Sequence, residues 1–210
     1  MWWRRCTWFV GKAWARKSEP FVWHEDPAKP FFKPAATGWD SRSLRLDFVL
    51  SIPEQDAYSI DYSATDRDDA QDRFGLAICP AGEDGSSGVT PETIRRSGAE
   101  PVLAPEPAEP FCETMASQSA VFRERDATGQ WRCSMNYSYR GGNGVLPEIR
   151  LATSRDCKSW ERHSNAEDPT GKGHLFASTP DACFTDRWYL YTQACPLPAN
   201  RNDIDGKWDL

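Results

Sequence analysis

Long apolar runs, helical periodicity and any surplus of positive charge are missing from this chain, and each absence removes a class of function. No stretch approaches the ~20 apolar residues that a membrane-spanning helix requires. The apolar part of Trp2–Val10 is too short for a signal peptide and is followed by Gly11, Lys12 and Arg16. Net charge is −6, and the 25 Lys and Arg are scattered over 210 residues, whereas nucleic-acid binders gather basic residues on one face. The seven cysteines (Cys6, Cys79, Cys112, Cys133, Cys157, Cys183 and Cys195) form no C-x-x-C pair, and only three histidines could assist them. A structural zinc site is therefore not expected. No G-x-S-x-G elbow occurs, and Arg140-Gly141-Gly142-Asn143-Gly144 reads as a hairpin loop rather than a phosphate cradle. What remains is a soluble protein, expected to be cytoplasmic. It should have mostly free thiols and no metal, cofactor, nucleic-acid or membrane partner; disulfides would accompany export.

Aromatic residues, by contrast, are plentiful: 10 Trp, 10 Phe and 6 Tyr. Flat rings pack well on pleated strands, and they can also cover the C–H face of a sugar. Short apolar or alternating runs separated by Gly, Pro, Asp and Asn clusters predict an all-β protein. The expected strands are Leu44–Ile52, Tyr58–Ser63, Phe74–Cys79, Ser119–Arg123, Trp131–Ser138, Glu148–Ser154, Ala182–Phe184 and Trp188–Gln193. One short helix is expected at Pro91–Arg96, with Thr90 as N-cap and Pro at its first position.

An internal repeat organises these strands. Asp61-Tyr62-Ser63 followed by Gly75-Leu76-Ala77 returns as Asn136-Tyr137-Ser138 followed by Arg150-Leu151-Ala152, an offset of 75 residues (62 to 137, 77 to 152). A third, partial copy stands at Trp188-Tyr189-Leu190-Tyr191-Thr192. A recurring unit of antiparallel strands that cannot bury its own faces is what a propeller blade looks like, with a β-sandwich as the alternative.

Trp39-Asp40-Ser41, Asp47-Phe48-Val49-Leu50 and Asp61-Tyr62-Ser63 resemble the opening blade of five-bladed propeller glycosidases. Gly129-Gln130-Trp131, Met135-Asn136-Tyr137-Ser138, Leu151-Ala152-Thr153-Ser154-Arg155-Asp156 and Trp160 resemble a second blade. The groups in view are glycoside hydrolase families 43, 32 and 68 and the related 130 phosphorylases, matched over roughly residues 20–195. The resemblance implies an N-terminal extension at 1–19 and a partial five-bladed β-propeller over 20–210. At ~50 residues per blade this amounts to about two and a half blades, completed by self-association or by a partner chain if the chain is not a truncated product.

The resemblance also implies three carboxylates where the first strands of successive blades converge: a base or nucleophile, an orienting group and a general acid. Asp47 stands at the first of these positions and is the expected base. The second blade offers Ser117-Gln118-Ser119, with no Asp, and the third offers Ser178-Thr179-Pro180-Asp181. Asp181 is therefore expected as the acid, near Asp47, with Glu113 as a substitute if the second blade's strand begins earlier. Trp39, Trp131 and Trp188 are the expected sugar-stacking rings. Three functions are compatible with this pattern: a glycosidase acting on a carbohydrate substrate, a catalytically impaired glycan-binding module, or a structural module.

Overall fold

The computed structural model describes residues 10–27, 30–66, 71–81, 90–108, 113–141, 148–163, 176–184 and 188–195; for the last two segments only the backbone is considered. Strands make up just over half of the described residues, and the regular structure among them is otherwise one 3₁₀ turn at Pro53–Gln55, with no α-helix. The elements are β1 (Ala13–Trp14), β2 (His24–Glu25), β3 (Ser43–Ile52), β4 (Ala57–Thr65), β5 (Arg73–Pro80) and β6 (Arg95–Arg96). They continue as β7 (Glu113–Arg125), β8 (Trp131–Gly141), β9 (Glu148–Ser154), β10 (Glu161–Arg162), β11 (Phe176–Phe184) and β12 (Trp188–Cys195). All eight expected strands form, most of them longer than expected. Their alternation of large apolar and small polar residues suits a pleated surface whose two faces differ.

The chain divides into two compact units, Met1–Ala70 with Phe74–Pro101, and Gln71–Arg73 with Val102–Leu210. The first holds a four-stranded sheet in the order β3-β4-β5-β6, and the second a four-stranded sheet in the order β7-β8-β9-β10. Each is a simple meander, as the repeat predicts, and the offset of 75 carries β4 onto β8 and β5 onto β9. In the second unit β11 and β12 form a further antiparallel pair beside β7 and β8. This is the all-β, antiparallel architecture of a partial propeller.

In the first unit Leu44, Ile60, Tyr62, Ala64, Ala77 and Cys79 pack with Phe31, Phe32 and Ile94, and Trp39 and Leu46 flank them. In the second, Ala116, Ala120, Val121, Cys133, Met135, Tyr137 and Ala152 are buried. Residues 10–19 are tied to the neighbouring segment 24–32: Val10 bridges Phe32, and Lys12 forms an ion pair with Asp26 at 3.0 Å.

The helix expected at Pro91–Arg96 does not form. Thr93 and Ile94 N–H both donate to the Thr90 carbonyl, closing one turn. The chain then runs straight into β6, which pairs Ile78 with Arg95 and Ala77 with Arg96. The Thr90 side chain accepts no backbone amide of that turn; instead the Thr90 N–H donates to Thr93 Oγ1 at 2.8 Å, and completing a blade outweighs a helix of fewer than two turns, too short to be stable alone. The hairpin turn expected at Asp126–Gly129 does form, with Thr128 N–H donating to Asp126 Oδ1 at 2.8 Å and Gly129 at φ 80°. Asp156 accepts from the Lys158 and Ser159 amides at 2.8 Å each, shaping the turn after β9, and these bonds lower its pKa to about 2.

Two thiols depart from the free-thiol expectation. Cys133 at the start of β8 and Cys157 in the turn after β9 form a disulfide across 24 residues, while Cys79 is free and buried. The spacing of the cysteines gave no sign of this pair, because the sheet register brings them together. Closing a loop of this length stabilises by about 3 kcal/mol. Cys133→Ser, or reduction of the wild type, should therefore lower the unfolding free energy by about that amount; equal urea midpoints with and without reductant would show that the bond contributes nothing.

Candidate functional site

Each of the three first strands carries an irregularity, and at the position where the sequence puts a blade's leading carboxylate. In β3, Leu46 pairs with Tyr62 and Phe48 with Asp61, so Asp47 is an extra residue without an opposite number. In β7, Ser117 pairs with Ser138 and Ser119 with Tyr137, which leaves Gln118 as the extra residue. In β11, Ser178 pairs with Gln193 and Asp181 with Tyr191, so Thr179 and Pro180 oppose Thr192 alone. Pro180 suits a bulge, because it has no N–H to give to the ladder. Bulges bend a strand and re-aim a side chain, and they recur beside active sites.

The Asp47 side chain is 3% exposed. It accepts hydrogen bonds from Ser63 Oγ on β4 and from Arg45 Nε at 3.5 Å. Alternation along β4 puts Ser59, Asp61 and Ser63 on one face, opposite Tyr58, Ile60, Tyr62 and Ala64. Asp61 is 1% exposed and accepts from Ser59 Oγ at 3.3 Å through Oδ2, while its Oδ1 has no hydrogen-bond partner among the described residues. Burial first, and then the charge of Asp47, push the Asp61 carboxyl up to about 7.

Glu113, the proposed substitute acid, does begin β7, so the strand starts six residues before the expected Ser119. The residue is buried and fully engaged. Tyr137 Oη donates to its Oε1 at 2.7 Å, Arg150 Nη1 at 2.5 Å, Arg162 Nε to its Oε2 at 3.3 Å, and the Glu106 amide to Oε2 at 3.0 Å. The Arg150 guanidinium also lies 3.8 Å from the centre of the Tyr139 ring. Both of its oxygens are thus occupied by donors from its own unit, which ties Glu113 into the packing of the second sheet.

The first unit contains the same device. Asp40 accepts from Tyr62 Oη at 3.3 Å and from Arg96 Nε at 2.5 Å, and Arg96 lies over the Phe32 ring. Tyr62 corresponds to Tyr137, and Arg96 and Arg162 both end the outermost strand of their sheets. Burial is the first cause raising the pKa of both phenols, with the adjacent carboxylate next. Gly75 has a specific duty here: a Cβ would stand 2.2 Å from the Tyr62 ring. Its counterpart Arg150 instead joins the Glu113 cluster. The repeat thus conceals one network built twice, and the outer arginines were not evident from the strand pattern.

The aromatic residues are more committed than the sequence suggests. Trp39 stacks on Tyr62 with ring centres 5.7 Å apart. Trp131 opens β8 with the guanidiniums of Arg123 and Arg125 at 4.1 and 4.3 Å from its ring centre. Trp188 begins β12 and Asp181 lies in β11, but the side chains of both fall outside the described residues. Among the described residues no cluster of three or more His, Cys, Asp and Glu could hold a metal ion, and no helix is long and apolar enough to cross a membrane.

The sheets, their order and the bulged first strands define the class: the chain has the fold of the glycoside-hydrolase β-propellers. A proposed glycosidase from Bacteroides thetaiotaomicron matches with a TM-score of 0.56 and 17% identity, over 80% of this chain and 53% of its own. A proposed glycoside hydrolase from Bacteroides ovatus matches at 0.54 and 18%, over 75% and 45%. A third match, at 0.52 and 18% over 74% and 45%, comes from the GH130 family of mannoside phosphorylases, which contains glycoside hydrolases that target β-1,2-mannosidic linkages in Candida mannan. The chain spans about half the length of these structures. No family model and no curated protein matches it.

Proposed function

We propose that this chain is a glycoside hydrolase-like protein acting on a carbohydrate glycosidic bond, with Asp47 as the base and Asp181 as the acid. The observation that carries the reading is Asp47 itself, the extra residue of a bulged first strand, shielded from solvent and gripped by Ser63 and Arg45. A base must be ionised and fixed in direction, and a bulge with two donors supplies both conditions. Asp181 resumes the ladder directly after the bulge of β11, in the corresponding neighbourhood of its own sheet.

A second reading, a glycan-binding module with impaired catalysis, draws on Gln118. Where the second blade of the resembling families carries an orienting carboxylate, this chain has an amide, so the substrate is less firmly oriented. Hydrolysis of a panel of aryl glycosides by wild type and Asp47→Asn separates the two. Turnover that falls 10²–10⁴-fold in the variant, the range for loss of one acid–base group, supports the enzyme. Glycan binding without turnover in either protein supports the binding module. Turnover unchanged in Asp47→Asn overturns the assignment of the base.

A further inference from the structure

The face of β4 that carries Asp61 repeats in β8. Ser59, Asp61 and Ser63 correspond, at the same offset of 75, to Ser134, Asn136 and Ser138. The two rows differ at one atom: where the second sheet has a neutral amide, the first has a carboxyl group. An amide NH₂ and a protonated carboxyl are alike in shape and in having a donor beside an acceptor, whereas a carboxylate has acceptors only. The second sheet carries a neutral side chain with one donating atom at this position, partly buried there where Asp61 is fully buried.

The surroundings of Asp61 favour the same form. Its β4 neighbours on that face are Ser59 and Ser63, and neither carries charge. Across the sheet, Ala77 and Cys79 belong to the opposite, Tyr62-bearing side, so β5 turns Phe74, Leu76 and Ile78 toward the Asp61 face. At the far edge Arg95 is engaged by the Glu92 and Ile94 carbonyls. From β3 come Asp47, raised into this row by the bulge, and Arg45, which donates to Asp47. Asp47 therefore gathers the donors suited to a negative charge. Asp61 has one neutral donor, a fully buried Oδ1 without a donor, and an anionic neighbour. A buried carboxyl so situated, beside a like charge and with no cation of its own, is favoured in its protonated form.

We infer that Asp47 and Asp61 form a coupled carboxyl pair, Asp61 holding the proton and Asp47 the charge, which makes Asp61 the neutral neighbour that tunes the Asp47 base. The catalytic part of this inference rests on the role of Asp47 as the base; the pairing itself does not. Kept neutral, Asp61 adds no second negative charge beside the Asp47 carboxylate. Two carboxyl groups coupled in this way lose their protons in two steps that belong to the pair.

The test is carbon-13 NMR titration of the aspartate carboxyls in wild type, Asp47→Asn and Asp61→Asn. In wild type one carboxyl should titrate near pH 7, as burial beside Asp47 dictates. In Asp47→Asn that midpoint should fall by about one unit or more, because a like charge has been removed. In Asp61→Asn the high step should vanish, and the fold should survive, since the variant recreates the Asn136 arrangement. A high midpoint unmoved by Asp47→Asn, or no carboxyl titrating above the usual range in a folded wild type, overturns the pairing. None of these readouts needs turnover, so a coupled titration in an inactive protein would sink the enzymatic reading and leave the pair standing. Where turnover is measured, Asp61→Asn should displace the acidic limb of the kcat/KM profile with KM little changed. A uniform loss at every pH would mean a merely structural Asp61.

Discussion

Glu113→Ala is expected to lower the unfolding free energy of the second unit by about 3–5 kcal/mol, the range for breaking a buried ion pair from one side. The loss comes less from the missing attraction than from what stays behind. Arg150, with a side chain 4% exposed, would keep its charge away from water without its carboxylate, and Tyr137 Oη would lose its acceptor. Urea denaturation followed by tryptophan fluorescence would measure the change. The double variant Glu113→Met/Arg150→Met should recover part of it, because removing both partners spares the desolvated charge. If the single and double variants were equally unstable, the coupling between these two side chains would be refuted and Glu113 would matter only for packing.

A second large effect concerns pH. Asp61 titrates at about 7 in the folded chain against 3.8 for an ordinary aspartate. Between those values the folded state holds a proton that the unfolded chain has released. The stability due to protonated Asp61 is therefore complete below pH 3.8, declines as the pH rises, and is lost once the pH passes 7. At 1.36 kcal/mol per unit the whole decline is about 4 kcal/mol. Asp61→Asn, which cannot ionise, should remove this decline and be more stable than wild type at pH 8. Thermal melts of both proteins from pH 4.5 to 8 would reveal it; parallel curves would mean that Asp61 is ionised throughout.

The sheets were legible in the sequence because their cause is local. Alternation in Leu44–Ile52 and Trp131–Ser138, together with turn residues such as Asp126 and Gly129, acts over a few positions. The offset of 75 reported a blade repeated as a unit. The short outer strands were hidden, since two residues carry no periodicity, and Pro91 at the head of a polar run imitates a helix start. The candidate site was legible in part. Asp47, Gln118 and Thr179–Pro180 stand out by their place at the head of each repeat, and each of these places carries a bulge. Asp61 belongs to the repeat, yet the repeat assigns it no role, because only the extra residue in β3 brings it beside Asp47. Glu113 was conspicuous as an acidic residue, yet its partners Arg150 and Arg162 lie 37 and 49 positions away. No local pattern connects them.

The outer strands β6 and β10 are two residues long, and strands so short would ordinarily open and close on their own. Here the last residue of each reaches across its sheet to a buried carboxylate that also holds the central tyrosine. Peeling away the edge therefore means pulling a guanidinium off Asp40 or Glu113 in the same movement. The margin of each sheet is thereby fastened to its middle, and exchange of the edge amides with solvent becomes an event of the whole sheet rather than a local fraying.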